Sequence, residues 1–308
     1  MRTVKTSAPA RAGLLGNPSD LYGGRGIGFA IAGWQAEVVV TAGAARDRAL
    51  RPGATLLRAA AEVLARHCGF GSRWRDGERD LDVRVTSDIP RQVGLAGSSA
   101  IVLAYLRALA EWFATPLDPM TAARLALAAE VEVLGIRAGP MDRLVQAHGG
   151  LLALDFAKPF AASSVQRLDP SLAPPMLIAW DTEPKKTSGA VHAPVWDRWC
   201  AGDLEVRTVL AEFRPLVERG LAALVRGDRA ELMACVNHNF DLRARIFTIT
   251  KRDRAMIDLG RAHGAATKFC GSGGAILVVA KTPELVPALA DAYATAGFAI
   301  RNVRIAEP

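Results

Sequence analysis

Tyrosine is scarce: the chain has 3 among 308 residues, and no run of lysines and arginines stands clear of acidic neighbours. A nucleic-acid-binding surface interleaves aromatic rings with a basic stripe, so nucleic acid is not an expected partner. The 4 cysteines, Cys68, Cys200, Cys235 and Cys270, lie far apart. Their spacing excludes a paired zinc site and a C-x-x-C redox motif, and reads as reduced thiols of a cytoplasmic protein. No stretch is apolar for long enough to cross a bilayer, and the opening MRTVKTSAPARAGLLG lacks the apolar core of a secretion signal. Neither a membrane partner nor export is therefore expected. Also missing are G-x-x-x-x-G-K-[ST], H-E-x-x-H and G-x-S-x-G, which sets aside three common routes to nucleotide, metal and serine chemistry.

What is present is apolar bulk and positive charge. Hydrophobic residues make up 50% of the sequence, enough for a substantial core. A formal charge of +7 and a sequence pI near 9.6 favour anionic partners such as nucleotides and acidic metabolites. Alternating or β-rich segments (TVKTSAP, GIGFAIAG, AEVVVTA, LDVRVTSD) predict early strands, with a helix over 54–67 among them. Helices are predicted over 98–113 and 121–134, and a short one from Met141. Strands come first and helices cluster afterwards, which fits an α+β layer structure better than a doubly wound parallel sheet. The proline- and serine-richer stretch 157–175 reads as a hinge, placing domains at 1–160 and 161–308. The second half predicts a strand at MLIAW, helices over 196–226, 229–237 and 243–263, then strand, strand, helix and strand.

Three segments carry chemistry. In PRQVGLAGSSA, residues 90–100, Gly94 and Gly97 with Ser98 and Ser99 directly precede a run of helix formers. Small residues there let a backbone approach a bound group and aim free N–H donors at it, with the positive end of a helix dipole behind them. A turn leading into a helix capped by Ser98 or Ser99 is the plainer reading. In AAEVEVLGIRAGPMDR, residues 128–143, Glu130 and Asp142 either converge as carboxylates or serve as a solvated helix face and a helix cap. The cluster Gly271, Ser272, Gly273 and Gly274 lies between two β-like runs, where a tight turn would use the same residues.

Taken in order, APARAGLLGNPSDLYGG (8–24), PRQVGLAGSSA, the Glu130 and G-P-M-D segment, and KFCGSGGA (268–275) resemble the signature regions of the GHMP kinases. Within that family the segments GLLGNPSD, GLAGSSAIV, MDRLVQAHGG and KFCGSGGA are most similar to glucuronokinases, which phosphorylate D-glucuronate at its anomeric oxygen. The resemblance implies a two-domain α+β fold, with an N-terminal ribosomal-protein-S5-like nucleotide domain and a C-terminal α/β sandwich. It implies ATP and Mg²⁺ as cofactors and a small sugar or sugar acid as substrate.

By the same resemblance the backbone of Gly94, Leu95, Ala96, Gly97, Ser98 and Ser99 cradles the triphosphate, supported by Gly271, Ser272 and Gly273. Ser99 and Glu130 are the implied Mg²⁺ contacts, both hard oxygen donors. Asp142 matches the catalytic aspartate, Arg11 the basic residue beside it, and Asp20 a position that binds a sugar hydroxyl. Asn17-Pro18-Ser19 departs from the Glu-His-x of galactokinase-like members. The neutral segment at Asn17 removes a carboxylate that would repel an acidic substrate. Arg25, just beyond DLYGG, is the preferred carboxylate partner, with Arg143 and Lys185 as alternatives. The stretch 181–190, DTEPKKTSGA, is a candidate mobile loop or a solvated one. The competing functions are a galactose-type or mevalonate-type kinase of the same family, a non-catalytic sugar and nucleotide sensor, and last a basic nucleic-acid binder.

Overall fold

The computed structural model describes residues 2–43, 54–70, 81–182 and 188–307, and the side chains of 188–190 are left undescribed. Lys185 therefore lies outside the described residues. The first half is built on two long strands, β1 (Thr3–Leu15) and β2 (Arg25–Ala42), paired antiparallel along nearly their whole length. Alternation explains the far end of β2, where Ala36, Val38 and Val40 are buried while the residues between them face outward. The two runs GIGFAIAG and AEVVVTA are thus one strand, which turns at Gly33 with φ +74° and a register shift opposite Pro9.

Strands β3 (Leu81–Ser87), β4 (Leu151–Asp155) and β5 (Val165–Leu168) complete a five-stranded antiparallel sheet. Helices α1 (Ala54–Cys68), α2 (Gly97–Trp112), α3 (Pro119–Ala128) and α4 (Met141–His148) cover it. The second half carries a four-stranded antiparallel sheet in the order β7 (Ala266–Phe269), β8 (Ala275–Val279), β6 (Met176–Trp180), β9 (Ala299–Asn302). Its helices are α5 (Ser188–Cys200), α6 (Leu204–Arg226), α7 (Arg229–Ile246), α8 (Lys251–Ala262) and α9 (Val286–Thr295). Among the described residues no helix is long and apolar enough to cross a membrane.

Four expectations need adjustment. The single helix expected over 196–226 is two, α5 and α6, parted at 201–203 by the Asp203 cap. The stretch 157–175 is not all hinge, because β5 pairs with β4, so the crossing between sheets falls at 169–175 rather than 160. Helix α7 does not stop at Asn237, since its backbone continues to Ile246 and the break comes at 247–250. The helix expected over 121–134 gives way at Ala129 to a π-helical turn, Ala129–Val133.

The halves meet closely. A continuous apolar core runs from β1 and α2 into α6, α7 and β8. At the seam, the Gly13 amide donates to Cys270 O at 2.9 Å, and the buried Lys268 ammonium donates to Gly13 O at 2.7 Å. Asn239 of α7 accepts from the Gly16 amide and donates to Asn17 O, fixing the end of β1 against the second half. The chain's tail returns to the first sheet, with Ile305 bridged to Ile31 and the Ala306 amide donating to Ala30 O at 2.9 Å.

Candidate active site

The serine-glycine loop ends in an uncapped helix. Helices α3, α6, α7 and α8 are closed by Asp118, Asp203, Asp228 and Thr250, each accepting from a first-turn amide. Helix α2 has Ala96 at its N-cap, with φ +62°, and no side chain caps it. Ser98 and Ser99 lie inside its first turn, so the capping role open to them in the sequence is not taken. The amides of that first turn have no intrahelical acceptor and, with the left-handed Gly94 and Ala96, form a concave set of donors. Ala96 and Ser98 border a cavity of about 510 Å³ between the two halves.

Ser99 is turned inward from that cavity. The residue is 1% exposed, and its hydroxyl donates to Gln146 Oε1 at 2.7 Å, while the Gln146 amide donates to Pro9 O and Ala96 O. Successive helical residues point about 100° apart, so only one of the two serines faces the cavity, and it is Ser98. The expected metal contact at Ser99 is corrected accordingly: Ser99 ties the loop to α4.

Helix α4 brings Asp142 to the cavity. Its N-cap is Pro140 with no side-chain bond, so Asp142 is not a cap. Instead Asp142 Oδ1 accepts from Arg11 Nε at 2.5 Å. Arg11 is 5% exposed and also donates to Gly94 O at 2.7 Å. One guanidinium thus sets the aspartate relative to the loop. Burial alone would depress the Arg11 pKa, but the charge and hydrogen bond of Asp142 raise it above the ordinary arginine value.

Asp20 lies beside this pair. It accepts weakly from the Met141 amide at 3.4 Å, and a Cβ on Gly139 would sit 2.0 Å from its Oδ2, so only glycine permits that approach. Desolvation first, and then repulsion from Asp142, push its pKa up to about 6. Glu130, in the π-helical turn, is 1% exposed, lines the cavity and is ion-paired to Arg143, so it is no solvated helix face.

The second glycine loop packs against the first. A Cβ on Gly94 would meet Gly273 O at 2.8 Å, and one on Gly271 would meet Gly94 O at 2.3 Å. Gly271 and Ser272 reach the cavity wall, and Asn17 donates to Gly271 O at 3.1 Å from the same wall. Arg243, 2% exposed, donates to Gly271 O at 2.8 Å and Ser272 O at 2.7 Å.

Arg25 is not brought to the cavity. Its start-of-strand position opposite Asp155 carries it outward, where it pairs with Asp155 at 3.5 Å and Glu218 at 3.3 Å. The expectation that Arg25 meets the substrate is therefore corrected. Arg137, His192 and Arg243 line the cavity instead and were not singled out from the sequence. Position in IRAGPMD, five residues before Asp142, was a signal for Arg137; His192 and Arg243 had none, because other segments of the chain bring them here.

Comparison with known proteins identifies the family. Residues 55–150 match the GHMP kinases N terminal domain and residues 221–299 match GHMP kinases C terminal. Glucuronokinase 1 of Arabidopsis thaliana is 33% identical over 96% of this chain and 91% of its own length. The Lin0012 protein from Listeria innocua superposes with a TM-score of 0.80 at 14% identity, covering 99% of this chain and 98% of that one. Galactokinase from Lactococcus lactis, solved with galactose, gives 0.79 at 13% identity, covering 99% of this chain and 94% of that one. Two matched domains, a full-length relative and a common fold with both loops at the cavity lead to one conclusion: this chain belongs to the GHMP kinases.

Proposed function

We propose that the protein transfers the γ-phosphoryl group of ATP to the anomeric oxygen of a sugar acid, D-glucuronate, giving glucuronate 1-phosphate. The observation that carries the reading is the pair Arg11–Asp142 set beside an uncapped helix end in one cavity. Similarity to glucuronokinase 1 over nearly the whole chain supports the choice of substrate.

Phosphoryl transfer asks little covalent work of a protein, so positioning and charge neutralisation dominate. First-turn amides of α2 and the left-handed backbone at Gly94 and Ala96 receive the phosphates. Asp142 Oδ1 is held by Arg11, and Oδ2, 3.7 Å from Arg143 Nη1 and without a hydrogen bond among the described residues, accepts the proton of the acceptor hydroxyl. Asp20 binds a ring hydroxyl, and the second loop backs the first through Arg243. The neutral Asn17 wall leaves room for a negatively charged substrate.

The donor set suits magnesium. Ser98 and the carboxylate of Glu130 are hard oxygens at the cavity, and among the described residues no group of three acidic, histidine or cysteine side chains converges. An ion held by one or two protein oxygens takes its remaining ligands from phosphate and water, as Mg²⁺ does. When bound, it neutralises charge on the transferring phosphate.

The test is a coupled ADP-release assay over D-glucuronate, D-galacturonate, glucose, galactose and mevalonate. Glucuronate should give the highest kcat/KM, with phosphate at the anomeric position of the product. Preference for a neutral hexose or for mevalonate overturns the substrate assignment, and ADP release with none of them overturns the kinase reading.

A further inference from the structure

Arg243 is the exception among the arginines of the cavity. Arg11 is paired with Asp142, Arg143 with Glu130, and Arg137 with Asp197 at 2.6 Å. Arg243 is as deeply buried as any of them, yet among the described residues no carboxylate lies within ion-pair distance of it. Its Nη1 and Nη2 each give one hydrogen to a loop carbonyl, while Nε, also buried, has no acceptor. Phe247 and Phe269 face the guanidinium at 4.5 and 5.1 Å. Ring faces and carbonyl dipoles soften the cost of a buried cation without neutralising it.

His192 adds a second unmet group. It lines the same cavity, packs edge-on against Phe247 with ring centroids 5.6 Å apart, and its buried Nδ1 has no partner. Burial, followed by the charges of Arg243 and Arg11, lowers its pKa to about 3, so the ring is neutral at physiological pH and one nitrogen remains a donor. A buried guanidinium without an anion and a buried imidazole nitrogen without a partner share one phenylalanine on one wall. The other arginines lining the cavity, Arg11, Arg137 and Arg143, are already paired with carboxylates, and the uncapped helix end serves the phosphates, so Arg243 with His192 is the cationic place left for a second anion.

We propose that Arg243 and His192 form the subsite that binds the substrate's carboxylate and so make this kinase selective for acids. The inference rests on the sugar-kinase reading of the cavity and extends it. In a pyranose uronate the carboxylate on C5 and the anomeric oxygen on C1 flank the ring oxygen, so the groups that bind them must lie a short span apart; Arg243, and the Arg11 that holds Asp142, both lie against Gly271. Asp20 lines the same cavity within electrostatic range of both Asp142 and Arg243, where it can take a hydroxyl of the same ring. A carboxylate oxygen at Arg243 forms charge-assisted bonds and cancels the buried charge, whereas a neutral hydroxymethyl group leaves that charge unmet.

The experiment compares D-glucuronate with D-glucuronamide, which keeps the shape and removes the charge. For the parent, Arg243→Gln, Arg243→Lys and His192→Phe, kcat/KM is measured on both sugars at saturating ATP. Thermal protection by each sugar alone is measured in parallel. The parent should favour the acid by about 100-fold; Arg243→Gln should remove most of that preference, Arg243→Lys should restore part of it, and His192→Phe should reduce it about 10-fold. Only the acid should lose its thermal protection in Arg243→Gln. Because Arg243 also braces the second glycine loop, both sugars will lose some turnover, but a structural role alone leaves the ratio unchanged. A parent that prefers glucuronate, with a preference surviving both Arg243→Gln and His192→Phe, overturns the subsite and not the kinase. If Arg243→Gln does not fold, an unchanged ratio in Arg243→Lys and His192→Phe overturns it equally. A parent indifferent to the carboxylate overturns both subsite and uronate substrate. A parent preferring another acid, with that preference lost in Arg243→Gln, supports the subsite and overturns glucuronate alone.

Discussion

The cavity has two unlike walls. On one, Arg11 and Asp142, and Arg143 and Glu130, are matched charge to charge. Against these stand the unpaired groups: Asp20, beside the first pair, has only a long amide contact, and Arg243 and His192 on the far side have no ionic partner at all among the described residues. Matched groups are held in their working geometry before any ligand arrives, which is what positioning a reacting hydroxyl requires. Unmatched groups carry an unrelieved desolvation cost, which a polar ligand offsets by entering. In the reading proposed above, the pairing pattern therefore separates the wall that performs chemistry from the wall that selects what is admitted.

The largest expected effect is on the matched wall. Asp142→Asn keeps the shape and removes the proton acceptor, so kcat should fall by about 10³-fold while nucleotide affinity, followed by a fluorescent ATP analogue, changes less than about threefold. Near-parent turnover would remove Asp142 from the chemistry. Arg11→Met comes next, with kcat/KM reduced about 100-fold and a lower melting temperature, because the aspartate and the Gly94 carbonyl lose one shared donor. If this variant is as active as the parent, prior matching of charges is irrelevant to catalysis.

Changes on the unmatched wall should affect the sugar more than the chemistry. A Gly139→Ala methyl displaces the Asp20 carboxylate, so sugar KM should rise about 10-fold with kcat and fold retained; an equal fall in kcat would make Asp20 part of the catalytic wall. Smaller still is the difference between two neighbouring serines. Ser98→Ala should raise the Mg²⁺ concentration needed for half-maximal rate about threefold, whereas Ser99→Ala should lower stability instead, and magnesium titrations in which only Ser99→Ala shifts would reverse that assignment.

The last prediction isolates the cost of an unmatched carboxylate. Folded Asp20 holds its proton to about pH 6, against an unperturbed value of 3.8, so the folded state binds more protons in that window and stability falls as pH rises through it. Asp20→Asn is free of this loss. Without ligand, its melting temperature should exceed the parent's by a few degrees above pH 6 and converge with it near pH 4. A difference constant across that range would mean that Asp20 is not penalised by burial.

The matched wall was far more legible in the sequence than the unmatched one. Glycine and serine loops announce themselves locally, because close backbone approach needs small residues; the roles of Asp142 and Arg11, and of Asp20 on the unmatched side, came only through the family resemblance those loops carry. Glu130 was ambiguous until its burial with Arg143 was visible. Arg243 was hidden by polar surroundings: NHNFDLRAR shows no apolar stripe, so α7 read as broken there. The buried face is itself polar, with Asn239 and Arg243 four residues apart, both turned to the seam between the halves. Arg25 misled for the opposite reason, since proximity to the substrate motif said nothing about the outward turn of β2.

The returning tail makes the second half an insertion in the first. The chain leaves the first sheet after β5, builds β6 to β9 with their helices, and comes back to lay Ile305 against Ile31 and Ala306 between Ala30 and Gly150. With both junctions pinned and the apolar core continuous across the seam, neither half can come apart without exposing the other. The second half keeps a smaller apolar core of its own around Phe240, Met256 and Tyr293, so what the shared core and the returning tail couple is the seam itself, where the two glycine loops meet.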